Sequence, residues 1–357
     1  MKKRNTLLGL LLVFSGTLFS QIPNGYYNSA EGLYGTALKQ ALHDIIDNHT
    51  SVTYQSLWTH FQTTDKKTNG KVWDMYSDVP GGSPAYEFTF GSDQCGTYNS
   101  EGDCYNREHS FPASWFDDAY PMYSDLFQLV PTDGYVNNRR SNYPYGKVGT
   151  ATWTSTNGCK LGSSATSGYS GTVFEPIDAY KGDFARNYFY MATRYYTEDS
   201  GWPGSAMFNG SQPKPWAVTL LLQWHQLDPV SQKEIDRNNA VYAIQHNRNP
   251  FIDHPEYAVN IWSANAGIGD PEEAQYQLRI YPNPASGKCF ASIPEGADAK
   301  AAKVSLYSIT GQKVNTEASV DDKTISIDLQ KLTPRLYFVV LDDGSDSHQY
   351  RGKLLVR

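Results

Sequence analysis

Between residues 33 and 46, apolar side chains recur three and four positions apart. Leu33, Ala37, Leu38, Ala41, Leu42, Ile45 and Ile46 follow the spacing of one helix face. The same period predicts a helix from Asp183 to Glu198, with Phe184, Tyr188, Met191, Ala192 and Tyr195 on one stripe and Arg186, Tyr190, Arg194 and Glu198 on another. A leucine-rich run from Trp216 to Gln226 predicts a third helix. Ser231 followed by Glu234 forms a capping box that predicts a fourth, running towards Gln245. Past residue 275 the period falls to two. The segments KVSLYSI, TISIDL, RLYFVVL and YRGKLLV alternate as strands do, and Thr310-Gly311 supplies a turn. About seven such strands predict a small antiparallel sandwich. The change of period coincides with SANAGIGDPEEAQ (263–275), which reads as a linker. The fold class expected is therefore α+β: a mainly helical domain over 21–262, the linker, and a small all-β sandwich over 276–357.

The first twenty residues change where the chain is expected to act. Lys2, Lys3 and Arg4 precede an apolar run from Leu7 to Phe14 and then small residues, a secretory signal peptide over 1–20 with cleavage after Ser20. The run is too short to cross a bilayer comfortably. Export permits disulfides. Of the four cysteines, Cys95 and Cys104 flank a polar, Gly-rich stretch and form the favoured pair. Cys104 with Cys159 is the competing pair, and Cys289 is expected as a buried free thiol.

Charge adds an asymmetry. From Gln21 to Asp270 there are 16 Lys and Arg against 26 Asp and Glu, whereas residues 134–197 carry seven against three. An acidic chain is a poor non-specific ligand for nucleic acid, but it can grip a phosphate locally. A basic cleft made by Arg139, Arg140, Lys147, Lys181 and Arg186 is expected.

The candidate chemistry lies in GDCYNREHSFPASWF (102–116) and SDLFQLVPTDGYVNNRRSNYPYG (124–146). Glu108 and His109 are adjacent, and on a regular strand they would face opposite ways. A strand that ends there, near Pro112, would let both address one substrate. Glu108 could then hold a hard cation while His109 takes a proton from water, a combination suited to phosphodiester hydrolysis. With SDLFQLV as a strand, TDG as a turn and VNNRRS opening a helix, Asn137 would point back as a second oxygen ligand. Arg139 and Arg140 would meet phosphate oxygens. Oxygen ligands of this kind favour Mg²⁺. Taken singly, each piece is ordinary: a Glu-His pair is usually solvated, asparagines usually make turns, and paired arginines usually make surface ion pairs. The ordered conjunction outweighs those readings. His225 is expected to pack on its helix, and the aromatic helix near 190 is expected in the core.

These two segments, with VFEPIDAYKGDFARNYFYMATRY, LLQWHQLDPVSQKEIDRN and IQHNRNPFIDHPEY, resemble the endonuclease I family of secreted, non-specific nucleases of the ββα-metal (His-Me finger) group. The resemblance implies His109 as general base, with Glu108 and Asn137 as ligands of one Mg²⁺ that Mn²⁺ or Ca²⁺ can replace. It implies a catalytic role for Arg140 and substrate contacts for Arg107, Asn142 and Arg186, with a structural ion pair as the alternative for Arg186 and a turn-shaping role as that for Asn142. Arg139, placed by its position beside Arg140, is a further expected substrate contact. DNA, with RNA as a second class, would be cut to 5′-phosphate and 3′-hydroxyl ends. Some relatives carry His or Asn where this chain has Phe127 and Gln128. IYPNPASG, VSLYSITGQKV, LYFVVL and YRGKLLVR resemble a type A sorting domain of type IX secretion, which implies that export machinery as a partner. The rival class is a surface adhesin or glycan-binding protein, to which 14% aromatic content and the acidic balance would suit.

Overall fold

A computed structural model describes residues 22–263, 278, 280–293, 302–308, 313–321, 324–342 and 349–357. The expected signal peptide, nearly all of the expected linker and the Thr310-Gly311 turn lie outside those residues. The chain divides into two units, Met1–Ala266 and Gly267–Arg357.

In the first unit, α1 (Gly35–Ile46) and α2 (Leu57–Thr64) precede an antiparallel pair, β1 (Tyr105–His109) and β2 (Leu129–Asp133), which runs straight into α3 (Gly134–Arg140). Next come a three-stranded antiparallel sheet, β3 (Val148–Thr154), β4 (Lys160–Ser164) and β5 (Thr172–Glu175), and α4 (Lys181–Arg194). A short ribbon, β6 (Phe208–Asn209) with β7 (Gln212–Pro213), leads to α5 (Pro215–Leu227), α6 (Gln232–Gln245), α7 (Pro250–Asp253) and α8 (Glu256–Trp262). The four helices predicted from periodicity are α1, α4, α5 and α6. Ser231 and Glu234 close the capping box on α6 reciprocally. Every residue of α4 is buried, the mark of a helix surrounded by its own domain. Its aromatic side chains are core, packed between α1 and α5. His225 is likewise buried on α5.

SDLFQLV does not form the expected strand. Met122–Ser124 is a single 3-10 turn, and β2 begins only at Leu129. The cause is Asp125, whose carboxylate is buried and accepts from Phe127 N (2.9 Å), Tyr190 Oη (2.8 Å), Tyr195 Oη (2.6 Å) and Gln245 Nε2 (3.0 Å). Those bonds bend 125–128 inward and anchor it to α4 and α6. TDG is not a separate turn either. Thr132 and Asp133 finish β2, and Asp133 caps α3 by accepting from Val136 N at 2.8 Å. Gly134 is required there because a Cβ would sit 2.5 Å from Cys95 Sγ and 2.9 Å from the Tyr98 ring. Cys95 and Cys104 form a disulfide, and Cys159 is a buried free thiol.

The second unit contains, among the described residues, two four-stranded antiparallel sheets. Their orders are β11-β10-β14-β15 and β12-β13-β9-β8, with β8 Ile280–Tyr281, β9 Lys288–Ser292, β10 Lys303–Ser308, β11 Lys313–Val314, β12 Ala318–Val320, β13 Thr324–Asp328, β14 Leu336–Asp342 and β15 Gln349–Leu355. Burial alternates along β13 and β14, so the period of two read from the sequence puts Ile325, Ile327, Val339 and Leu341 into one shared core. Cys289 is a buried free thiol within it.

Asp125→Ala should lower the unfolding free energy by about 3–5 kcal/mol, because four buried donors lose a charged acceptor. Urea denaturation measures it; a loss below about 1 kcal/mol would show that the turn holds by other means.

Candidate active site

The register of β1 on β2 pairs Glu108 with Val130 and His109 with Leu129, and the strand stops there. Alternation therefore ends at His109, and Glu108 and His109 line the same cavity of about 260 Å³. Asn137, on α3, lines it too, as do Arg107, Arg140 and Asn142.

Each of the three central side chains has its orientation fixed by a committed atom. Glu108 is 2% exposed, and its Oε1 accepts from Arg140 Nη1 and Tyr76 Oη, both at 2.9 Å. Because that tyrosine hydrogen is spent on Glu108, Tyr145 Oη, 2.7 Å away, must donate to Tyr76. Both partners use Oε1, which leaves Oε2 for a ligand. Burial pushes the Glu108 carboxyl up to about 7, against the pull of Arg140 and the Tyr76 hydrogen bond. Asn137 Nδ2 donates to Asn106 Oδ1 at 2.8 Å, so the carboxamide oxygen is the atom left over. His109 Nε2 lies 3.0 Å from the carbonyl oxygen of Tyr123. A carbonyl only accepts, so Nε2 carries the hydrogen and Nδ1 keeps the lone pair. The imidazole is stacked on Tyr54 (5.7 Å between centroids, 15°) and tilted against Tyr123 (4.7 Å). Burial there holds its pKa down to about 4, so the ring is neutral near pH 7.

One carboxylate oxygen and one carboxamide oxygen form a hard but sparse donor set. Among the described residues no group of three or more His, Cys, Asp or Glu side chains gathers to hold a metal. Such a pair fits an ion of the Mg²⁺ type, which keeps several waters and takes further oxygens from a phosphate. It does not fit the sulfur- and nitrogen-rich shell of structural zinc.

The arginines differ from expectation. Arg140 is 1% exposed, with both terminal nitrogens of its guanidinium committed to Glu108 Oε1, the carbonyls of His109 and Ser110, and Tyr188 Oη, while its buried Nε has no partner. It is not free to meet a phosphate; it positions Glu108. Arg186 is fully buried and bonded to Glu234 and the carbonyl of Asp228, which removes it from any substrate surface. Lys181 is held by Glu175 and Asp178. The expected five-residue basic cleft therefore does not form. Arg107 remains: half-buried, its guanidinium carbon 3.7 Å from the Tyr54 centroid and 4.5 Å from that of Trp58. Arg139 is exposed near the rings of Tyr135 and Trp153, and Asn142 is exposed at the cavity rim. Arg107 is itself partly committed, since its Nη1 donates to the Tyr54 carbonyl at 2.8 Å. Sequence reasoning missed Tyr76, Tyr145, Asn106, Tyr54 and Tyr123. No periodicity singles them out, and 26 tyrosines dilute any compositional signal.

The Endonuclease I family model matches residues 34–256, and that of the secretion system C-terminal sorting domain matches 279–357. An extracellular ribonuclease of Bacillus amyloliquefaciens is 38% identical over 246 residues, covering 66% of this chain and 78% of that protein. The extracellular ribonuclease of Bacillus subtilis (strain 168) is 36% identical with the same coverage. Endonuclease-1 of Buchnera aphidicola subsp. Baizongia pistaciae (strain Bp) is 30% identical over 129 residues, 36% of this chain and 46% of that protein.

Arg186→Met should destabilise the fold by about 3–5 kcal/mol by leaving Glu234 buried without its cation, with turnover per folded molecule unchanged. Thermal unfolding alongside nuclease assay checks this; intact stability with lost turnover would return Arg186 to the site.

Proposed function

The chain belongs to the endonuclease I family, and from that premise we propose that it cleaves DNA and RNA by metal-assisted hydrolysis. His109 is the base, and Glu108 and Asn137 are the protein ligands of one Mg²⁺-type ion. That the chain is a secreted nuclease follows from its family, its sorting domain and its extracellular relatives. Among the described residues no helix is long and apolar enough to cross a membrane.

In this reading β1, β2 and α3 act as a ββα-metal (His-Me finger) motif. His109 Nδ1 accepts the proton of the attacking water, while the Tyr123 carbonyl fixes the tautomer and steadies the charge that develops on the ring. The low pKa keeps the base unprotonated, and an incoming phosphate supplies the negative charge that makes proton uptake easier. When bound, the ion neutralises phosphate oxygens and stabilises the leaving 3′ oxygen, so that 5′-phosphate and 3′-hydroxyl ends result. Arg107 contacts phosphate, with Arg139 and Asn142 further along the strand. Phosphate contacts carry no base information, so cleavage is non-specific in sequence. Residues 21–262 form the catalytic domain. The C-terminal unit is handed to type IX secretion machinery and removed on export. The names of the more similar relatives, both ribonucleases, favour RNA alongside DNA.

The observation that carries this reading is the convergence of Glu108, His109 and Asn137 on one cavity, each with its other polar atom already committed. His109→Ala should lower the rate on plasmid DNA and on RNA by about 10²–10⁴-fold with the melting temperature preserved. Chelation of divalent ions should abolish cleavage by the native chain. Undiminished cleavage in the variant or in chelator refutes the mechanism.

A further inference from the structure

A second cavity, of about 540 Å³, is lined by Gly96, Thr97, Tyr98, Asn99, Tyr135 and Asn138. Tyr98 and Asn138 also line the cavity that holds Glu108 and His109, so the two spaces are neighbours that share two wall residues. We propose that this second cavity is a subsite for one unpaired nucleobase flanking the scissile phosphate, and that it favours single-stranded over duplex substrate. The proposal deepens the nuclease reading and rests on it.

The chemistry of the walls matches a base. Tyr135 and Asn138 stand three apart on α3 and share a face. They offer a ring beside an amide, a π surface and a polar edge, and the Tyr135 ring also meets the Arg139 guanidinium (5.3 Å) and Trp153 (6.4 Å). Tyr98 supplies a second ring from the facing loop, and among the described residues it pairs with no other aromatic ring. Asn99 and the backbone at Gly96–Thr97 add polar edge groups. The volume lies within the usual range for small-ligand sites, roughly 300–1,000 Å³.

The loop that carries Tyr98 is held rigidly. The Cys95–Cys104 disulfide closes it. Asp103 accepts from the backbone N–H of Asn99 (2.7 Å) and Ser100 (2.9 Å), and Gly102 N donates to Asp133 Oδ2 (2.7 Å). A wall fixed in advance loses little entropy when a ligand arrives. A base inside a duplex has its faces stacked and its edge paired, so only an unpaired base can enter. Stacking on aromatic side chains tolerates every base, which keeps cleavage independent of sequence.

The test uses the full chain with Tyr98→Ala, Tyr135→Ala and the matching Phe variants. A fluorescent single-stranded oligonucleotide and a duplex of the same sequence are titrated in chelator, and kcat and KM are then measured with Mg²⁺. Each Ala variant should weaken single-strand binding about tenfold and raise KM on that substrate alike. The Phe variants, kcat and duplex binding should match the native chain. Unaltered single-strand binding, or equal losses on single strand and duplex, overturns the subsite. Tyrosine-dependent binding without any cleavage would keep the subsite and sink the nuclease reading. Cleavage without tyrosine dependence would do the reverse.

Discussion

The site depends on one buried guanidinium. Arg140, at the end of α3, bonds to Glu108 on β1, to the carbonyls of His109 and Ser110 beyond it, and to Tyr188 on α4. Burying a charge costs several kcal/mol unless partners compensate it. Here the compensation is the site itself: the carboxylate to be positioned, and the backbone on either side of where the strand must stop. Tyr145 adds its ring face 4.7 Å from the guanidinium carbon. A planar group with five donors can join strand, strand end and central helix at once, which a lysine could not. Closing α3 onto β1 in this way also brings Asn137 to the cavity that Glu108 lines.

The electrostatics follow from that arrangement. The first unit is acidic, and among the described residues eight of its sixteen Lys and Arg are held in ion pairs with its own carboxylates, among them Arg140 on Glu108, Arg186 on Glu234, Lys181 on Glu175, Arg237 on Asp65 and Arg248 on Asp253. What faces the cavity is a neutral imidazole, one carboxylate shared with an arginine, and Arg107 stacked on aromatic rings. In the proposed mechanism, attraction for a phosphate comes from few charges, with the bound cation as the chief one. That accords with a family that is generally dependent on divalent metals.

Much of this was legible from the chain. The helices announced themselves by period and by the Ser231–Glu234 cap, and the sandwich strands by their alternation. Glu108, His109 and Asn137 drew attention by their order along the chain, and the structure places all three on one cavity. What could not be read was whether a charge has a partner. Nothing local marks Arg186, because Glu234 lies 48 residues away. Arg140 looked like a phosphate ligand because its carboxylate partner is 32 residues back, across a hairpin. SDLFQLV looked like a strand because Leu126, Phe127, Leu129 and Val130 are apolar. A single buried carboxylate, Asp125, bends it through contacts with residues 65 to 120 positions distant. The tyrosines around Glu108 and His109 were invisible for the same reason: their roles exist only in three dimensions.

The central claim, that two oxygens fixed by Arg140 and Asn106 hold one divalent ion, is tested most directly by titrating Mg²⁺ into the chain by calorimetry. Glu108→Gln and Asn137→Ala are each compared with the native protein, and Arg139→Ala serves as a control. The account predicts that each of the first two weakens the ion by at least about tenfold while the control does not. Equal affinity in all four proteins would place the ion elsewhere and contradict it.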